Sequence, residues 1–68
     1  MPAKLKVLPG GEEKLIDVGS GITVKELLKK LGLSPESYVV TKNGEVVVED
    51  EIISDGDVIE VYRVVSGG

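Results

Sequence analysis

Apolar and charged residues alternate over residues 4–8, where Leu5 and Val7 sit among Lys4 and Lys6. A period of two belongs to a strand with one buried face. Pro9-Gly10-Gly11 interrupts the pattern and a second run over residues 14–18 follows it, so the two runs predict an N-terminal hairpin. After the Gly19-Ser20-Gly21 connector the period changes. Val24, Leu27, Leu28 and Leu31 recur at helical spacing, with Lys25, Lys29 and Lys30 on the opposite side. Thr23 stands at the N-cap and Glu26, three residues on, completes a capping box, with Ile22 and Leu27 as the hydrophobic staple. Gly32 is suited to the left-handed position that ends a helix, which lets Leu33 fold back on Leu28, and Pro35 bars continuation. A helix of about two turns that is apolar on one side only must lie across a sheet.

Residues 38–42 and 45–48 flank Asn43-Gly44, a pair that accepts positive φ at both central positions of a tight hairpin turn. That turn sets the register. It pairs Lys42 with Glu45 and Val40 with Val47, so that Tyr38, Val40 and Val47 share one face and Val39, Thr41, Val46 and Val48 the other. The face of Val40 and Val47 is taken to meet the helix. Ile52 is expected to tuck beneath the charged Glu49-Asp50-Glu51 connection, and Asp55-Gly56-Asp57 turns the chain into a last, β-branched strand beginning at Val58.

Composition narrows the chemistry. The chain has 68 residues, enough for one domain, and at this size only about 60% of the unfolded surface is buried. It has no Cys and no His, which removes thiolate metal sites, iron–sulfur clusters, a cysteine nucleophile and the usual general base. Self-contained catalysis is therefore not expected, and neither is a bound cofactor or metal. Glu49, Asp50, Glu51, Asp55 and Asp57 lie close in sequence but without EF-hand spacing, and read as a solvated acidic rim. Twelve Asp plus Glu against eight Lys plus Arg give a net charge of −4, which opposes phosphate binding, so no nucleic acid is expected and a basic protein partner is favoured. No apolar segment is long enough to span a bilayer, Met1-Pro2-Ala3-Lys4 lacks the apolar core of a signal peptide, and a cytoplasmic location is expected, away from the membrane.

The order of these elements is that of an α+β domain of the β-grasp, or ubiquitin-like, type: a mixed four- to five-stranded sheet with one main helix packed across it. Three stretches make the likeness specific. They are Asn43-Gly44-Glu45-Val46-Val47, then Asp55-Gly56-Asp57-Val58-Ile59-Glu60-Val61, then Val64-Val65-Ser66-Gly67-Gly68. In this order and at this length they resemble the ThiS/MoaD family of sulfur carriers and its archaeal relatives, the small ubiquitin-like modifiers. The resemblance implies that the first and last strands are parallel neighbours at the centre of the sheet. It divides the chain into a β-grasp domain over residues 1–65 and a flexible Gly-Gly tail over residues 66–68.

The resemblance also implies a role for the terminus. Gly67 and Gly68 have no side chains and thread a narrow channel. There the Gly68 carboxylate is activated with ATP by an adenylating enzyme resembling the ubiquitin-activating enzymes. Attack by the persulfide of a sulfur donor leads to a thiocarboxylate, a store of sulfur for a synthase making thiamine, molybdopterin or thiolated tRNA. Attack by a lysine of a target protein gives an isopeptide instead, which is the modifier alternative. A third alternative is a non-catalytic β-grasp binding module, disfavoured in its RNA-binding form by the acidic charge and by Tyr38 and Tyr62 being the only aromatic residues.

If Ile59 and Val61 point at the helix, Val58, Glu60 and Tyr62 point outward and offer a partner-docking face. The alternative is an ordinary strand with scattered exposed apolar residues; Tyr62, an amphipathic side chain of the kind interfaces favour, tips the reading to docking. Arg63, Val64 and Ser66, between this strand and the tail, are also expected to meet the partner. Arg63 either meets an acidic channel mouth or balances Glu60.

Overall fold

The computed structural model describes residues 2–64; Met1 and residues 65–68, which hold Ser66 and the Gly67-Gly68 tail, lie outside the described residues. The alternation at the N-terminus becomes strand β1 (Ala3–Leu8), which buries Ala3 and Leu5. It pairs antiparallel with β2 (Glu12–Ile16), Leu5 standing opposite Lys14. The second strand therefore begins two residues before the run at 14–18 and ends at Ile16, a correction with a local cause. The Gly11 N–H donates to the Val7 carbonyl at 3.0 Å, so the turn closes early and pairing resumes at Glu12. Val18 is buried all the same, outside the ladder, and its carbonyl accepts the Gly21 N–H at 2.8 Å.

Strand β3 (Ile22–Thr23) leads directly into α1 (Val24–Leu31). The capping box is formed on both sides: the Glu26 N–H donates to Thr23 Oγ1 at 3.1 Å and the Thr23 N–H to Glu26 Oε1 at 2.9 Å. These bonds from Thr23 favour the charged carboxylate and hold the Glu26 acid below its ordinary value. At the other end Gly32 adopts φ 73°, and the Leu33 N–H reaches the Leu28 carbonyl at 2.9 Å while the Gly32 N–H reaches that of Lys29 at 3.1 Å. This is the Schellman pattern, and it brings Leu33 back against the core.

The Asn43-Gly44 turn, with φ of 52° and 88°, joins β4 (Tyr38–Lys42) to β5 (Glu45–Val47) in the expected register, Lys42 opposite Glu45 and Val40 opposite Val47. Val40 is buried and Val47 packs against the core, whereas Val39, Val46 and Val48 are exposed. A short β6 (Ile52–Ile53) and the Asp55-Gly56-Asp57 turn follow, and then β7 (Val58–Arg63). Here Ile52 departs from expectation. It is 50% exposed, and its neighbour Ile53, at 0%, takes the inward place. The cause is β6 pairing antiparallel with β3, Ile53 opposite Ile22, which turns alternate residues inward and out.

The main sheet runs β2-β1-β7-β4-β5, with β3 and β6 forming a separate two-stranded sheet. β7 lies at the centre, parallel to β1 and antiparallel to β4. The sheet is thus mixed, with the first and last strands adjacent and one helix across it. Val24, Leu27 and Leu28 of α1 meet Ala3, Leu5, Val40, Ile59 and Val61 of the sheet in one buried cluster. No helix is long and apolar enough to cross a membrane among the described residues.

Candidate functional site

With Ile59 and Val61 fully buried beneath the helix, the period of β7 sends Val58, Glu60 and Tyr62 to the opposite face of the sheet. Val58 and Tyr62 are exposed and Glu60 is half-buried. The neighbouring strands decide what surrounds them. Leu8 of β1 stands beside Tyr62 and Lys6 beside Glu60; on the other flank Val39 of β4 stands beside Tyr62 and Thr41 beside Glu60. Residues in register share a face, so Leu8, Tyr62 and Val39 form an apolar band across three strands. The band crosses the sheet where β7 ends, and the chain runs on from there to Gly68. The hairpin register already puts Val39 on this face; that Val39 and Leu8 flank Tyr62 depends on pairing between strands far apart in the chain.

Next to the band lies a polar centre. Glu60 Oε1 accepts from the Tyr62 hydroxyl at 3.1 Å and from Thr41 Oγ1 at 3.5 Å. The bond to Glu60 favours the protonated phenol and pushes the Tyr62 acid above its ordinary value, so Tyr62 is a neutral donor at physiological pH. The period of β7 puts the Tyr62 ring on the outer face, where its hydroxyl bonds to a residue two positions away on the same strand. Thr41 is buried there under the same carboxylate.

Arg63 is exposed at the end of β7, opposite Tyr38 of β4 and on the alternate side from Tyr62. Val64 is exposed outside the strand, its N–H donating to the Ser37 carbonyl at 2.8 Å, which carries the pairing of the central strand one residue beyond its end. Ser66, Gly67 and Gly68 lie outside the described residues. The acidic stretch resolves into separate tasks: Glu51 pairs with Lys42, whose ammonium it holds above its ordinary pKa, and Asp57 caps the turn before β7. Among the described residues no three acids gather into a metal-binding group.

The chain resembles known proteins over its whole length. The model of the ThiS family matches residues 1–68. The sulfur carrier protein TtuB of Thermus thermophilus is 32% identical over 57 residues, 84% of this chain and 88% of the relative. An uncharacterized protein of Archaeoglobus fulgidus is 38% identical, covering 100% of both chains. Among solved structures, the thiamine biosynthesis protein ThiS of Geobacter metallireducens superposes with a TM-score of 0.66 at 30% identity, covering 96% of this chain and 99% of that one. SAMP1 of Haloferax volcanii has the same fold, with a TM-score of 0.73 at 24% identity and 100% coverage of both.

Proposed function

The chain belongs to the ThiS family, small carrier proteins that are not themselves catalysts, and from this premise we propose that it carries sulfur as a thiocarboxylate on Gly68. The observation that carries the reading is the apolar band of Leu8, Tyr62 and Val39 at the end of β7 that leads to the tail. An activating enzyme seated on this band has the terminus within reach of its own active site. Val58 and Glu60 extend the docking face along β7, and Arg63, Val64 and Ser66 line the approach to the channel that Gly67 and Gly68 thread.

The chemistry follows from the poor electrophilicity of a carboxylate. A Gly68 carboxylate oxygen attacks the α-phosphorus of ATP on the partner enzyme, pyrophosphate leaves, and an acyl-adenylate forms. The terminal sulfur of a donor persulfide attacks its carbonyl carbon and AMP departs, leaving an acyl disulfide. A second thiol of the donor system then attacks the sulfur still bound to the donor. The S–S bond breaks, the donor leaves oxidised as a disulfide, and Gly68 keeps its sulfur as a thiocarboxylate. A sulfur-accepting synthase consumes it. ATP is thus a substrate of the partner, and this chain supplies the docking face, the slim tail and the carboxylate.

Intact mass spectrometry after incubation with ATP, the activating enzyme and a persulfide donor tests the reading. One terminal oxygen replaced by sulfur, absent when Gly68 is deleted, is the expected result. Adducts on lysines of other proteins without that exchange favour the modifier reading, and no change beside an enzyme active on another carrier returns the binding module to first place.

A further inference from the structure

The two edges of the sheet are built differently. β2 exposes Glu12, Glu13 and Lys14 beside one apolar residue, Leu15, and such charges are what edge strands ordinarily use to repel further pairing. β5 carries Val46 and Val47, followed by Val48, with Val46 at 73% and Val48 at 71% exposure. Because Lys42 and Glu45 close a two-residue hairpin, Glu45 and Val47 bond to β4, and the N–H and C=O of Val46 point away from the sheet.

Beside this edge lies a groove of about 320 Å³ lined by Val24, Leu28, Val47 and Glu49, and it wraps the edge itself, where Val39, Val46 and Val48 also line it. We propose that the β5 edge and this groove bind an extended, apolar peptide segment of a partner protein, flanked by basic residues, which adds to the sheet as a further strand.

Each part of the segment's description has its reason. An added strand sends alternate side chains to opposite faces. On one face they enter the groove; on the other they lie over Val46 and Val48. Both sets must therefore be apolar, which separates this site from a surface that accepts an amphipathic strand. The length of β5 together with Val48 suits a core of about four residues. The flanks are set by charge. Glu45 and Glu49 bracket the edge and Asp50 follows, while Lys42 is engaged by Glu51 and by the Ile52 carbonyl. A second copy of this chain is a poor occupant. Antiparallel pairing about Val47 sets Glu45 of one copy against Glu49 of the other, in molecules that each carry a charge of −4.

The site is centred on the sheet edge and not on the outer face of β7, and it shares only Val39 with the band beside Tyr62. Titration of the ¹⁵N-labelled protein with a capped synthetic peptide of alternating valine and isoleucine between terminal lysines tests it. Saturable shifts concentrated on the amides of Val24 and of residues 45–49, with slowed hydrogen exchange at the Val46 amide, are expected. Replacing the peptide's lysines with glutamates, N-methylating its central amides, or introducing Glu49→Lys each weakens binding by about tenfold or more. Val48→Lys does the same from the other face.

Shifts centred on Val58 and Tyr62, or no saturable shift up to about millimolar peptide, overturn the proposal. So does self-association of the unliganded protein mapped to the same amides, which makes a second copy the occupant.

Discussion

Asn43 and Asp57 join the β4–β5 hairpin to the turn that launches the central strand: Asn43 Nδ2 donates to Asp57 Oδ1 at 3.0 Å. The other end of the same amide, Oδ1, accepts the Val58 N–H at 2.9 Å, and the Asn43 N–H donates to the Val58 carbonyl at 2.7 Å. Asn43 thus tolerates the left-handed backbone of its own turn and extends the pairing of β4 with β7 past Lys42. Asn43→Gly keeps the backbone freedom and loses the side-chain bonds, with an expected cost of about 1 to 2 kcal/mol. Asn43→Ala adds the left-handed penalty of about 1 kcal/mol or more. Urea unfolding of the two variants separates the contributions.

Asp57 gives stability a dependence on acid. Its carboxylate accepts the Ser54 N–H at 2.8 Å and the Asn43 amide, and these bonds, the Ser54 one first, hold its pKa below the ordinary value. Glu26 is lowered in the same direction by Thr23. For a depressed carboxyl the stabilisation is present above the unfolded value, about 4 for these acids, and is lost as pH falls through the folded value. Denaturation midpoints are expected to hold steady from neutrality down to about pH 5 and to fall below it, more shallowly in Asp57→Asn.

Leu28 lies fully in the contact between α1 and the sheet. Leu28→Ala is expected to cost about 2 to 5 kcal/mol, a large part of what a domain of this size has. An unchanged thermal midpoint would mean that α1 presents another face.

Gly21 and Gly44 both adopt positive φ, at 119° and 88°, and differ in what a side chain meets. A Cβ on Gly44 reaches nothing within 4 Å, while one on Gly21 comes to 3.1 Å of Ile52 Cγ2. Gly21→Ala is expected to destabilise more than Gly44→Ala. In an Ile52→Ala background part of that excess disappears, which a double-mutant cycle reads directly.

Tyr62→Ala removes the middle of the outer apolar band and its bond to Glu60 without touching the core. The expected effect is a rise in the activating enzyme's KM for this carrier by about tenfold or more, with thermal stability nearly unchanged. A wild-type KM in this variant would move the docking surface elsewhere.

Legibility from sequence followed the range of the forces. The ends of α1 were readable because Thr23, Glu26 and Gly32 act within one turn of where they stand. The hairpin register was readable because Asn43-Gly44 fixes it locally. Ile52 and Ile53 are two like residues side by side, and which one turns inward is decided by Ile22, thirty positions away and out of reach of any local pattern. The start of β2 depended on how the Pro9-Gly10-Gly11 turn closed. The outward course of Val58, Glu60 and Tyr62 came from period alone and that of Val39 from its hairpin turn, whereas the placing of Leu8 and Val39 beside Tyr62 came only through register with β7. The roles given to Ser66, Gly67 and Gly68 lie outside the described residues and rest on sequence and kinship.

The parallel pairing of β1 with β7 bears on how the domain meets force. A pull on the C-terminus, resisted through the start of the chain, loads the two strands along their length. The hydrogen bonds between them are then strained together in shear and not opened one after another like a zip. β4, on the other flank, braces the same strand. On the proposed function, force applied to the tail would fall on a strand paired along both its edges, the one best placed to resist unravelling.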